Sequence, residues 1–128
     1  MADPSLAVQA ALYQRLSAEV SCPIFDSVPM DSPLPYAVID YEAMTNTSPL
    51  SGRDRASRFL YISVYSDYRG QREVKQIMGE VYAALNNRPL PIAEGRAFGI
   101  RVERMTTNRD ADGQTFMGSI TLRIISQQ

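Results

Sequence analysis

The stretch Arg55 to Ser66 constrains the chain most, because both of its alternating faces are apolar or aromatic. In an extended chain Leu60, Ile62 and Val64 point one way, and Phe59, Tyr61 and Tyr65 the other. A strand with one face in water alternates apolar with polar residues, so this one needs cover on both sides. Tyr36 to Met44 reads as its neighbour, with Ala37, Ile39 and Tyr41 alternating against Tyr36, Val38 and Asp40. Two more strands follow later, from about Ala97 to Met105 and from Thr115 to Ser126. Phe98, Ile100 and Val102 alternate on the first, and Phe116, Ile120, Leu122 and Ile124 on the second, with Gly118 in phase. Asp112-Gly113 between them is a strong turn dipeptide.

One helix precedes each strand pair. The clearer runs from about Gly70 to Asn86, with Val74, Ile77, Met78, Val81, Tyr82 and Leu85 on one stripe and Arg72, Glu73, Lys75, Gln76 and Glu80 opposite. Asn86-Asn87-Arg88-Pro89 ends it. The first helix opens with Asp3 as N-cap and Pro4 at the first helical position. From Ser5 to Val20 it sets Leu6, Ala10, Tyr13, Leu16 and Val20 on one face, widened by Val8 and Leu12, which implies a second buried side. Pro23, Pro29, Pro33 and Pro35 make Ser21 to Pro35 a stiff connection, with Ile24-Phe25-Asp26 as one short edge strand. The order predicts an α+β fold in one domain spanning 1–128: a mainly antiparallel sheet of about four to five strands with two helices packed on one face.

The chemistry available is limited. The 128 residues contain no histidine and one cysteine, so the commonest general base and metal ligand are missing, and no internal disulfide is possible. Cys22 beside Pro23 reads as a small apolar residue. A net charge of −1 gives no basic excess for counterion release, so nucleic-acid binding is not the default. No apolar run approaches the ~18 residues of a membrane span, and Met1-Ala2-Asp3-Pro4 opens no signal peptide, so a soluble cytoplasmic protein is expected. Basic residues are lopsided, 12 arginines against Lys75. Arginine suits interfaces, because its planar fork pairs with carboxylates and stacks on rings, though a GC-rich genome gives the same bias.

Three motifs lose to plainer readings. Asn108 to Gly113 resembles the start of a calcium-binding EF-hand loop, but the twelfth position is Ser119 inside a predicted strand, so the segment reads as a hairpin loop. Glu73-Val74-Lys75 has the Glu-x-Lys form of one nuclease superfamily, yet it lies on the wet side of a helix where a strand is required. Asn46-Thr47-Ser48 is a glycosylation sequon without a secretory signal. No catalytic, metal or cofactor site is expected, and no cofactor.

Two features point to assembly. The aromatic face of Phe59, Tyr61 and Tyr65 lies opposite the helices and needs a partner subunit or loops of the same chain to cover it. Two polar loops, Thr45 to Asp54 and Thr106 to Gln114, carry mixed charge, which either sets register between neighbours or simply keeps the loops solvated. The candidate interface residues are therefore Arg53, Asp54, Arg55, Phe59, Tyr61, Tyr65, Arg109, Asp110 and Asp112.

The order of these blocks resembles phage tail-completion proteins. Leu6-Ala7-Val8-Gln9-Ala10-Ala11-Leu12-Tyr13, Ile24-Phe25-Asp26-Ser27-Val28-Pro29 and Leu34-Pro35-Tyr36-Ala37-Val38-Ile39 look like that family's opening. Phe59 to Ser66, Glu73 to Leu85 and Arg109 to Phe116 continue it, so the likeness covers about Leu6 to Ile125. The resemblance implies a structural subunit rather than an enzyme. In such proteins, which include the tail terminators of long-tailed phages and similar parts of gene-transfer agents, six copies form a ring. The ring caps the tail tube, ends its growth and joins the tail to the head connector. The implied partners are further copies of the chain in a homo-hexamer, the tail-tube protein and the connector, with no sequence-specific nucleic acid and no membrane. The implied location is the bacterial host cytoplasm during assembly and then the virion. A head–tail joining protein is the neighbouring alternative, and a metal-dependent nuclease a distant one.

Overall fold

In the computed structural model, which describes residues 3–52, 54–109 and 113–128, the chain alternates helices with strands. The elements are α1 (Ser5–Glu19), β1 (Ile24–Phe25), β2 (Tyr36–Asn46), β3 (Arg55–Ser66), α2 (Arg72–Leu85), β4 (Arg96–Arg109) and β5 (Phe116–Gln127). The strands form one sheet in the order β1-β2-β3-β5-β4, antiparallel except where β1 runs parallel to β2. The α+β architecture is as the pattern requires, and β3 sits at its centre.

Both helices lie on one face. There Leu60, Ile62 and Val64 of β3 meet Ile120, Leu122 and Ile124 of β5, with Ala37 and Ile39 of β2 and Ile100 of β4 completing the floor. Val74, Ile77, Met78, Val81 and Leu85 of α2 and Val8, Leu12 and Leu16 of α1 close over it. Gly118 admits α2, because a Cβ there would collide with the Met78 sulfur and come within 3.1 Å of Val74. Tyr82, expected in the buried stripe, is instead 44% exposed, and Ala84 takes the buried place.

The first helix buries only part of its expected stripe: Leu16, Val20, Val8 and Leu12 are buried, but Leu6, Ala10 and Tyr13 are not. Its buried line is Val8, Leu12 and Leu16, one residue per turn, whereas Leu6 is 85% exposed and Tyr13 and Ala10 also face out. Steps of three and four fitted either stripe, and the sheet floor selected the one with branched side chains. Asp3 does not cap the helix either. Pro4 holds the capping position without a side-chain bond, and the Asp3 carboxylate accepts a hydrogen bond from Arg58 instead.

Arg58 is the largest fully buried side chain, in phase with Leu60 on the helix-covered face. Its guanidinium donates to Asp3, to Glu42 Oε2 at 3.2 Å and to Ser126 Oγ at 2.8 Å, while Ser5 Oγ also donates to Glu42 at 2.7 Å. One cation thus ties the start of α1 to β2, β3 and β5. A buried charge is tolerable only when paired and hydrogen-bonded. Further along, Arg88 holds Glu19 at 2.6 Å, joining the end of α1 to the segment after α2. That bond, more than their general attraction, keeps the Glu19 carboxyl below its ordinary value.

Strand ends and bulges correct other expectations. Residues 106–109 belong to β4 and Thr45 and Asn46 to β2, so both polar loops are shorter than composition indicated. Ser48 pins the β2–β3 connection through bonds to the Arg55 backbone, donating to its carbonyl and accepting from its amide. Phe98, Ile100 and Val102 do not share a face. The register shifts between Phe98 and Arg101, where Gly99 adopts φ +60°, so Phe98 turns to the opposite side from Ile100.

Removing the buried cation should be costly. Arg58→Ala should lower stability by about 3 kcal/mol in urea unfolding, the lower end for an unpaired buried charge because both carboxylates reach water. An unchanged midpoint would show that the cluster contributes no net stability. Burial, then the charge of Glu80, pushes the Cys22 thiol up to about 11 from 9.0. The neutral thiol therefore adds stability that is present below pH 9.0 and lost as pH rises through about 11. Stability should fall more steeply over that window in the native chain than in Cys22→Ala.

Candidate assembly surface

The second sheet face is built from the alternate residues of the same strands, and neither helix packs on it. Strand register arranges them in rows across the sheet. One row runs Tyr36, Tyr65, Met117 and Asn108, the next Val38, Ser63, Ser119 and Thr106, and the next Tyr41, Tyr61, Thr121 and Arg104. Ala43, Phe59, Arg123 and Arg101 follow, then Thr45, Ser57, Ile125 and Phe98, and finally Arg55, Gln127 and Arg96. The bulge at Asp40 keeps this order by returning Tyr41 to the face of Tyr61.

The face has two chemical halves. On β1–β3 it is aromatic: Tyr41 stacks on Tyr61 at 4.3 Å between centroids, Tyr36 lies 5.5 Å from Tyr65, and Phe25 meets Tyr36 edge-on at 5.8 Å. These rings cover one another, leaving Tyr61 and Tyr65 half-buried while Tyr41 stays 63% exposed; Phe59, half-buried too, stands between Ala43 and Arg123 in its row. On β4–β5 the face is cationic. Arg55 and Arg96 flank the Phe98 ring at 5.8 and 5.7 Å, while Arg101 lies opposite Arg123 in register. Like charges directly opposed across strands destabilise a sheet. Glu103, 3.9 Å from Arg101, and Ser57, 3.4 Å from Arg123, offset this weakly.

The sequence-derived interface residues do not converge. Asp54 and Arg55 lie at one end of β3, and Arg109 lies beside Phe116 and Ser66 at the other. Eleven residue steps along a strand separate those ends by roughly 35 Å. Phe59, Tyr61 and Tyr65 run between them on the uncovered face. Arg53, Asp110 and Asp112 lie outside the described residues. Arg109 sits on the helix side, its guanidinium 5.3 Å from the Phe116 ring. Arg101, Arg104 and Arg123 went unnoticed in the sequence, and Phe98 was read on the face of Ile100. The alternation of β5 already placed Arg123 opposite the core, but the shift at Gly99 hid its partners on β4.

A groove of about 350 Å³ opens at the β1 edge between α1 and β1, lined by Leu6, Gln9, Ala10, Tyr13, Ile24, Phe25 and Asp26. It is mostly apolar and contains no array of polar groups suited to catalysis. Glu73, of the Glu-x-Lys motif, lies in the first turn of α2 and accepts a bond from the buried Ser66 Oγ at 2.6 Å. Among the described residues no three carboxylate or thiol groups cluster as a metal site would require.

A family model described as Tail completion protein gp17 matches residues 7–127. The chain belongs to the tail-completion family. The match spans nearly every element, and apart from Leu6 the blocks that carried the resemblance fall within it. Among solved structures, a chain from the virion of a native gene transfer agent particle is 26% identical, with a TM-score of 0.87 and full coverage of both chains. A second solved chain is 14% identical, with a TM-score of 0.56, over 97% of this chain and 92% of its own, and shows a shared fold alone. Comparison with curated proteins finds no match. For this tail-completion family member, a double-mutant cycle between Tyr41→Ala and Tyr61→Ala should give a coupling of about 0.5–1 kcal/mol in the isolated chain. Strict additivity would mean that the rings do not support each other before assembly.

Proposed function

We propose that this chain is a structural virion protein that forms a ring at the end of the tail tube. The ring ends tail growth and joins the tail to the head connector. The observation that carries the reading is the end-to-end likeness to a chain of a gene transfer agent virion, with every residue of both chains covered. The family match over residues 7–127 agrees with it. On this reading the six copies of the ring are all of this chain, the tube and connector proteins are its partners, and it has no catalytic role. It acts in the host cytoplasm during assembly and stays at the tail–head junction.

The geometry suits such a task. A cap needs two unlike axial surfaces, one matched to the tube and one to the connector. The strand ends joined by the β2–β3 connection and those joined by the β4–β5 connection lie at opposite ends of the sheet, roughly 35 Å apart.

Deletion of the gene, followed by negative-stain electron microscopy of the particles, tests the reading. Overlong or ragged tails without heads are expected. Normal tails beside separate filled heads would assign a head–tail joining role instead. Intact particles of normal length would reject both.

A further inference from the structure

We infer that neighbouring copies join head to tail through the turn Asp26 to Asp31 of one and the cationic half of the uncovered sheet face of the next. The inference rests on the ring reading above and names the surfaces that would build the ring.

The turn is an unusual thing to leave in water. Asp26 and Asp31 bracket Val28 and Met30, the whole segment is exposed, and Met30 is 91% exposed. It is also held in shape. Pro23 and Pro29 stiffen it, the Ser32 amide and hydroxyl both bond to the Pro29 carbonyl, at 3.3 and 2.9 Å, and the Ala37 amide bonds to the Pro23 carbonyl at 3.0 Å. A segment already ordered loses little entropy on docking. Gln9 makes a 3.5 Å contact with Asp26, too long to satisfy the carboxylate.

The complementary surface lies at the other edge of the same sheet. Arg101 faces Arg123, Arg104 follows in the next row, and Arg55 and Arg96 flank Phe98. Among the described residues their own strands supply only Glu103, a weak 3.9 Å contact to Arg101, so the cluster keeps an excess of cations, and Phe98 offers a ring to a methionine sulfur. The turn follows the edge strand β1, whereas Arg96, Arg101 and Arg104 lie on the opposite edge strand β4 and Arg123 on β5 beside it, so one copy cannot close the contact on itself. Distinct, complementary patches on one chain define a heterologous interface, the kind that generates rings when the rotation closes. The apolar groove beside Asp26, with Leu6 and Tyr13 on its wall, extends the contact at its rim.

Charge exchange in the producing host tests this. Arg101→Glu with Arg123→Glu, and separately Asp26→Arg with Asp31→Arg, should each reduce copies per purified particle by roughly tenfold or more, because like charges then meet. The variant combining all four should restore entry. Urea unfolding of each purified chain separates lost folding from lost assembly. Since the combined variant carries every local strain of the others, its recovery cannot come from better folding. Two folded double variants that enter normally would overturn the pairing. So would losses that the combined variant fails to repair, which would assign the arginines to another partner. Absence of the wild-type chain from particles would instead sink the ring reading, and this contact with it.

Discussion

Everything in this fold depends on β3 having two apolar faces and only one of them covered by helices. Leu60, Ile62 and Val64 take the helices, so Phe59, Tyr61 and Tyr65 must find cover elsewhere. The chain supplies part of it by stacking Tyr41 on Tyr61 and Tyr36 beside Tyr65. Ring-on-ring contact removes some apolar surface from water but cannot close the layer, because every ring still has an outer side. What remains is a surface already half dehydrated, which lowers the cost of docking something on it.

Arg58 governs the other side. A guanidinium in phase with core leucines needs carboxylates beside it, and so ties the start of α1 and Glu42 of β2 to β3. The N-cap role expected of Asp3 was lost to this demand, since a buried cation outweighs an exposed backbone amide. The arginine excess therefore has more than one use. One arginine organises the interior, one clamps the end of α1, and Arg55, Arg96, Arg101, Arg104 and Arg123 share the uncovered face.

The element order was legible because periods of two and of three to four survive in a single sequence. Residues 55–66 form β3 over the range expected, and the stripe on α2 differs only at Tyr82. Where reading failed, tertiary context decided. Either line of apolar residues on α1 could have been buried, and nothing local distinguished Val8, Leu12 and Leu16 from Leu6, Ala10 and Tyr13. The extra residue at Gly99 was invisible because a bulge is a relation between strands, so Phe98 was assigned to the wrong face. Loop composition misled at residues 106–109, where polar side chains lie on strands whose outer positions face water. Of the uncovered face, the sequence showed the aromatic half and Arg55 but not the other arginines, since register alone brings Arg101 opposite Arg123.

The central claim is that the uncovered sheet face is an assembly face. Hydroxyl-radical footprinting of the isolated protein and of intact particles measures it, with Tyr41, Tyr61 and Phe98 as reporters and Tyr82 of the helix side as reference. The account predicts that the three reporters are labelled in the isolated chain and protected in the particle relative to Tyr82. Equal labelling of the reporters in both states would contradict it and leave the aromatic layer as a feature of the isolated fold alone.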